Sequence, residues 1–384
     1  MKKICICTTV SITMNSFVVE TAKYLYQECG YDITLICNED KVFEKALPEY
    51  IHFIPVHMER GIDFSGIKSI IQFIRIFRKE KFDMVQYATP NAACYASIAA
   101  KICKVPIRLY CQWGIRYVGL SGISRKIFRS LEKLICRNST EIRSVSPQNR
   151  QFAISERLYS AEKSSVIGRG GTIGVDMQQY DIAKRDTWRK MIRLQYDIDD
   201  EEIVFGFSGR ISVDKGCKEL INAFMNIEEK RGRVKLFIIG PMENNCGLEP
   251  SLISWVENSP RVIMTGIIEG KEMAKYYSAI DVLVHPTYRE GFGMVIQEAG
   301  ALGIPTITTK VPGASEVMEN GISCWLVSPK NSKELEKVMW NILEDSGKIV
   351  SVGQAAYERT KKYYNRKVML ENQRKDYIKL MEGN

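Results

Sequence analysis

Short apolar runs alternate with amphipathic helical patterns along nearly the whole chain, and that order requires parallel sheets with helical crossovers. Strands are predicted at 3–7, 32–37, 51–55, 83–87, 107–111, 141–145 and 165–167, with helical sequence between most of them. A helix predicted over 15–29 ends at Gly30, a residue suited to a left-handed cap. After a polar segment at 181–202 a second series begins, with strands at 203–208, 234–239, 262–265, 282–285, 306–309 and 324–327. Its helices are expected at 214–228, 270–278 and 292–302, and the sequence from 331 onward reads as helix alone. Two doubly wound α/β domains follow, and a chain of 384 residues is long enough to give each its own core.

No apolar stretch approaches the ~20 residues that a membrane span needs, and the first apolar run is too short for a signal peptide, so a cytoplasmic protein is expected. The 11 cysteines are scattered through apolar runs without a CxxC pair and read as reduced core residues. With three histidines, His52, His57 and His285, a metal site is not expected. The net charge is +9, and the stretch 101–143 holds ten Lys or Arg (101, 104, 108, 116, 125, 126, 129, 133, 137, 143) against Glu132 and Glu141. A basic face on the N-terminal half is therefore predicted, fitting a diphosphate, an anionic lipid or nucleic acid.

In open parallel sheets ligands sit beyond the carboxyl ends of the strands. Two such loops carry chemistry. In VLVHPTYREGFGMVIQEAGALGI, 282–304, Glu290 and Glu298 stand eight residues apart. In a continuous helix that spacing is ~12 Å, too far for a glycosidase pair and suited to holding two ends of one ligand. Gly291 and Gly293 leave room for a ligand against backbone N–H groups at the positive start of the following helix. In FSGRISVDKG, 207–216, Arg210 offers a planar fork and Lys215 a point charge, which together can neutralise a diphosphate.

These motifs, SGRISVDKG and REGFGMVIQEAGALGIPTI, resemble those of the retaining glycosyltransferases of family 4, which have the GT-B fold. VIGRGGTIGVDMQQY (166–180) and GIRYVGL (114–120) support the likeness, which runs over nearly the whole chain. The resemblance implies two Rossmann-like domains facing across a cleft. One is an acceptor-binding domain at 1–175 and the other a nucleotide-sugar domain at 176–366, with the final helix, 367–384, packing back on the first. It implies that Arg210, Lys215 and Glu290 are catalytic, the two cations on the donor diphosphate and Glu290 on the sugar hydroxyls. It places Glu298 on the ribose, Gly209, Gly291, Phe292, Gly293 and Met294 around sugar and phosphate, and Gly266 and Ile267 at the base. No metal or other cofactor is implied.

Two departures stand out. The loop after the first strand, TTVSITMNSF at 8–17, contains no glycine, and Gln112, Trp113 and Gly114 stand where many members place a histidine. Candidate acceptor contacts are Thr9, Asn15, Gln112, Trp113 and Arg116. His285, a lone histidine, reads as structural. The segments 67–82 and 123–137 mix Lys and Arg with Ile and Phe, as interfacial helices do. The expected partners are therefore a UDP-sugar, an undecaprenyl-diphosphate-linked saccharide and the anionic inner face of the cell membrane. The expected function is retaining transfer of a hexose or N-acetylhexosamine in capsule, O-antigen or exopolysaccharide synthesis. A UDP-sugar epimerase or hydrolase of the same fold is the alternative. A basic nucleic-acid-binding protein is disfavoured because it leaves both glutamates unexplained, and a dinucleotide oxidoreductase because no G-x-G-x-x-G follows either first strand.

Overall fold

A computed structural model describes residues 1–59, 65–243 and 246–383. It divides into two compact units, Met1–Ile173 with Lys367–Asn384, and Gly174–Arg366. The first holds β1 (Lys3–Cys7), β2 (Asp32–Cys37), β3 (Ile51–Pro55), β4 (Met84–Tyr87), β5 (Ile107–Gln112), β6 (Glu141–Ser144) and β7 (Ser164–Ser165). They form one parallel sheet in the order β3-β2-β1-β4-β5-β6-β7. The second holds β8 (Ile203–Ser208), β9 (Val234–Ile239), β10 (Val262–Met264), β11 (Val282–His285), β12 (Thr306–Thr309) and β13 (Cys324–Val327). Its order, β10-β9-β8-β11-β12-β13, is parallel throughout and repeats the first.

Strands covered on both faces need apolar side chains at successive positions, which is why KICIC and IVFGFS read as unbroken runs. In β1, Cys5 and Cys7 join the core on one side of the sheet while Ile4 and Ile6 join that on the other. Both strand orders reverse beside the first strand, so the carboxyl ends of β1 and β4, and of β8 and β11, flank the crevices where such sheets bind ligands.

Two local expectations change. The helix predicted over 15–29 is two helices, Ser11–Phe17 and Val19–Cys29, broken at Val18. Consecutive β-branched residues, Val18 and Val19, weaken the helix there. Gly30 closes the second helix in the left-handed conformation (φ 64°). Helix Cys217–Lys230 starts later than predicted, because Val213–Lys215 forms a tight turn that ends at left-handed Gly216.

Not every cation of the basic stretch at 101–143 is available to a ligand. Arg143 is buried and its guanidinium pairs with Asp376 (2.8 Å) and Glu141 (2.9 Å). Arg129 pairs with Glu156, and Arg108 donates to the carbonyls of Val105 and Asn138. Lys101, Lys104 and Arg116 stay exposed, as does the outer side of helix Gly122–Asn138, where Arg125, Lys126, Lys133 and Arg137 alternate with Ile123 (77% exposed) and Ile127 (46%). Helix Ser65–Glu80 similarly exposes Ile67, Ile71, Lys68 and Arg75. The last helix, Arg366–Glu382, buries Tyr377 and Met381 in the core of the first unit. Among the described residues no helix is long and apolar enough to cross a membrane.

Candidate active site

In the second unit β11 pairs with β8, so the loops that leave both strands emerge side by side. Glycine makes this approach possible. A Cβ on Gly216 would lie 2.0 Å from the carbonyl oxygen of Pro286, and one on Gly313 would lie 2.2 Å from that of Gly291. Any side chain at either position would push the glutamate loop away from its neighbours.

The result is a three-residue cluster. Lys215, from the turn after β8, donates to Glu290 Oε2 (3.0 Å) across 75 residues of sequence. His285 Nε2 reaches the same oxygen at 2.9 Å, and the Gly291 N–H donates to Oε1 (3.0 Å). Burial alone would push the Glu290 carboxyl up, but the His285 bond and the Lys215 charge hold it well below the usual carboxylate range. Glu290 is therefore ionised. Burial lowers the pKa of His285 despite the Glu290 bond, so the ring is neutral and carries its proton on Nε2, toward the carboxylate. Its Nδ1 is buried with no partner among the described residues.

Arg210 lies 57% exposed and pairs with Glu243 (2.7 Å), outside the cluster. Asp214, between Arg210 and Lys215 in sequence, feels the charge of both and of Arg289. The glycine-bearing turn ends in Gly293 (φ 44°), which caps helix Met294–Ala301, while Phe292 is buried edge-on against Tyr364. Met294 is half-buried at the first turn, and Gln297 is tied back to the Phe292 carbonyl.

Glu298, one turn into this helix, sits in a second pocket, where Tyr277 Oη donates to Oε2 (3.1 Å) and the Tyr180 hydroxyl faces it too. Burial pushes its carboxyl up to about 7, against the two hydroxyls and the charge of Arg366. Gly209 and Gly240 meet closely enough that a Cβ on Gly240 would lie 2.1 Å from the Gly209 carbonyl oxygen, and Gly240 bridges to Gly266. Beyond them Ile267 is 79% exposed. Among the described residues no group of three His, Cys, Asp or Glu could hold a metal ion.

In the first unit the Thr9 hydroxyl is engaged with that of Thr89 (2.8 Å), Asn15 is exposed, and Arg116 lies over the Phe128 ring (4.8 Å). Trp113 is half-buried against Phe17 (5.4 Å) and lines a cavity of about 40 Å³ with Ser144 and Thr172. Gln112 is not placed for an acceptor. It is fully buried, donating to Glu132 Oε1 (2.6 Å) and accepting from Tyr159 (2.9 Å), so both ends of its amide serve the core.

His285 is the site residue that sequence reasoning set aside. Its signal was the distance of five residues to Glu290, which a strand followed by a tight loop can close.

A family model described as glycosyl transferases group 1 matches residues 189–359, and one described as glycosyl transferase 4-like matches 3–146. The chain is 29% identical over 355 residues, 92% of each chain, to the capsular polysaccharide biosynthesis glycosyltransferase CapM of Staphylococcus aureus. It is 23% identical to an Escherichia coli UDP-Gal:alpha-D-GlcNAc-diphosphoundecaprenol alpha-1,3-galactosyltransferase, covering 82% of this chain and 81% of that one. In fold it is similar to HepE of Anabaena, solved with UDP and glucose (TM-score 0.79, 19% identity, 98% of this chain and 99% of that one). With one model on each unit and both switch-point motifs in place, the chain belongs to the family-4-like glycosyltransferases of GT-B fold.

Proposed function

We propose that this glycosyltransferase moves a hexose or N-acetylhexosamine from a UDP-sugar to a lipid-diphosphate-linked saccharide in bacterial cell-surface polysaccharide synthesis, with retention and without a metal. The observation that carries it is the meeting of Lys215 and Glu290 at the β8/β11 switch point. That juxtaposition puts a cation for a diphosphate beside a carboxylate for sugar hydroxyls. The relatives whose names specify capsule synthesis and a diphosphoundecaprenol acceptor support the choice of pathway and acceptor.

In this reading Lys215 turns from Glu290 to the donor diphosphate, joined by Arg210 and by the N–H groups at Gly291, Gly293 and Met294. Glu290 accepts from the sugar hydroxyls, Glu298 accepts from the ribose, and Gly266 and Ile267 border the base. The bond between the anomeric carbon and the diphosphate oxygen breaks as the acceptor hydroxyl attacks from the same face, and its proton passes to the departing oxygen. Neutralising that oxygen lowers the barrier, and fixed charges in an enclosed site do this without reorganisation. Asn15, Trp113 and Arg116 of the first unit remain the candidate acceptor contacts. The exposed Ile, Lys and Arg of helices Ser65–Glu80 and Gly122–Asn138 rest on the anionic inner leaflet.

A thermal-shift screen of sugar nucleotides tests the donor, since a ligand at 100 times its dissociation constant adds ~2.7 kcal/mol of stability. UDP-sugars should raise the melting temperature, and the rise should vanish in Lys215→Ala. No shift with any nucleotide sugar would overturn the proposal.

A further inference from the structure

Glu298 has companions that the transfer chemistry above does not use. Tyr277, on helix Met273–Ser278, is fully buried, and its hydroxyl donates to Glu298 Oε2 at 3.1 Å. Tyr180, far earlier in the chain, ends the 166–180 segment, and its hydroxyl faces the same carboxyl. The two rings meet edge to face at 6.1 Å. Segment 175–180 is itself pinned. The Asp176 carboxylate accepts from the Gln178 N–H and from Arg366 Nη1, and Gln179 donates to the Gly270 carbonyl. Among the described residues Arg366 is the cation whose charge reaches Glu298, and its buried Nε has no partner there.

A buried tyrosine hydroxyl needs a partner, yet a phenylalanine would fill the same apolar space without one. Both aromatic positions that enclose Glu298 carry the hydroxyl. The Tyr277 hydroxyl donates to Oε2 and the Tyr180 hydroxyl faces the same carboxyl, so together they restrict the rotamers open to it. The carboxylate gives both hydroxyls a use, with Ser208 a further neighbour of the Tyr277 hydroxyl.

We propose that Tyr180 and Tyr277 are positioning residues that hold the Glu298 carboxylate in the orientation that accepts from the donor ribose, so that they set the preference for a ribose-bearing nucleotide. The inference rests on the assignment of Glu298 to the ribose. Tyr180, Tyr277 and Arg366 are the titratable and charged groups that face the carboxylate, and loss of either hydroxyl removes an interaction that favours its charged form.

The test is calorimetric titration of the full chain with UDP and with 2′,3′-dideoxy-UDP. Wild type should prefer UDP. Tyr277→Phe and, independently, Tyr180→Phe should each weaken UDP by about 3- to 10-fold and leave the dideoxy compound unchanged. The pH midpoint of the UDP preference should also move upward in both variants. Equal weakening of the two nucleotides would reduce the tyrosines to a structural role, and unchanged UDP binding would end the proposal. Glu298→Gln separates the layers. If it abolishes the ribose preference while both Phe variants keep it, only the tyrosine assignment fails. If it leaves the preference intact, or wild type binds no UDP, the reading of Glu298 beneath it fails.

Discussion

Replacing Glu290 by glutamine tests the proposed roles of the Lys215–Glu290–His285 cluster with the least disturbance to its shape. The carboxylate takes donors on both oxygens, from His285 and Lys215 on Oε2 and from the Gly291 N–H on Oε1. A carboxamide has one acceptor and two donors, so one side of it must oppose a donor, and Lys215 loses its counter-charge. In the donor complex a charged acceptor for the sugar hydroxyls becomes a neutral one. A charge-assisted hydrogen bond is worth about 1.5–3 kcal/mol, which translates to ~10- to 160-fold in turnover of the sugar nucleotide. UDP lacks the transferred sugar, and Lys215 freed from Glu290 is more available to phosphate, so the affinity for UDP should not fall. Turnover assayed by UDP release, with UDP binding by calorimetry alongside, gives both quantities. Full turnover, or equal losses in turnover and UDP affinity, would refute the division of labour between Glu290 and Lys215.

Loss of the His285 donor should act through Glu290: His285→Phe lowers kcat with UDP affinity retained, and His285→Gln, which keeps an N–H, recovers part of it. Gly216→Ala should destabilise by at least about 1–3 kcal/mol in denaturant titration and abolish turnover, because Gly216 has φ 73° and its Cβ would meet the Pro286 carbonyl. Burial raises the Glu298 carboxyl from 4.5 to about 7, so the folded state holds this proton more tightly than the unfolded chain. Its contribution to stability is present below pH 4.5 and is lost as pH rises through about 7, so the melting temperature of wild type relative to Glu298→Gln should fall over that window. Affinity for UDP should rise over the same window, because the ribose contact proposed for Glu298 needs the ionised form.

The strands were the most legible part of the molecule. Buried parallel strands such as 203–208 and 234–239 are continuous apolar runs bounded by polar residues, so both their existence and their ends can be read. The two loop motifs were legible for a related reason: a glycine at a strand end beside a charge has few uses other than a ligand. Side-chain partnerships were not. Gln112 looked available until Glu132 and Tyr159, 20 and 47 residues away, were found to consume its amide. Arg143 counted toward a basic face until Asp376, 233 residues on, was found beside it. Tyr180 and Tyr277 belong to the apolar core of the second unit, and the sequence alone does not show that their hydroxyls face Glu298. Local propensity carries no information on pairings over such separations.

The proposed transfer from a UDP-sugar without a general base is tested most directly by the configuration of the product. Purified protein on anionic liposomes bearing an undecaprenyl-diphosphate saccharide should transfer sugar from an α-linked UDP-sugar, and Lys215→Ala should not. The anomeric proton of the new linkage, read by nuclear magnetic resonance, should report the α configuration, because attack and departure share one face. A β product would require a base on the opposite face and contradict the proposed roles of Lys215 and Glu290.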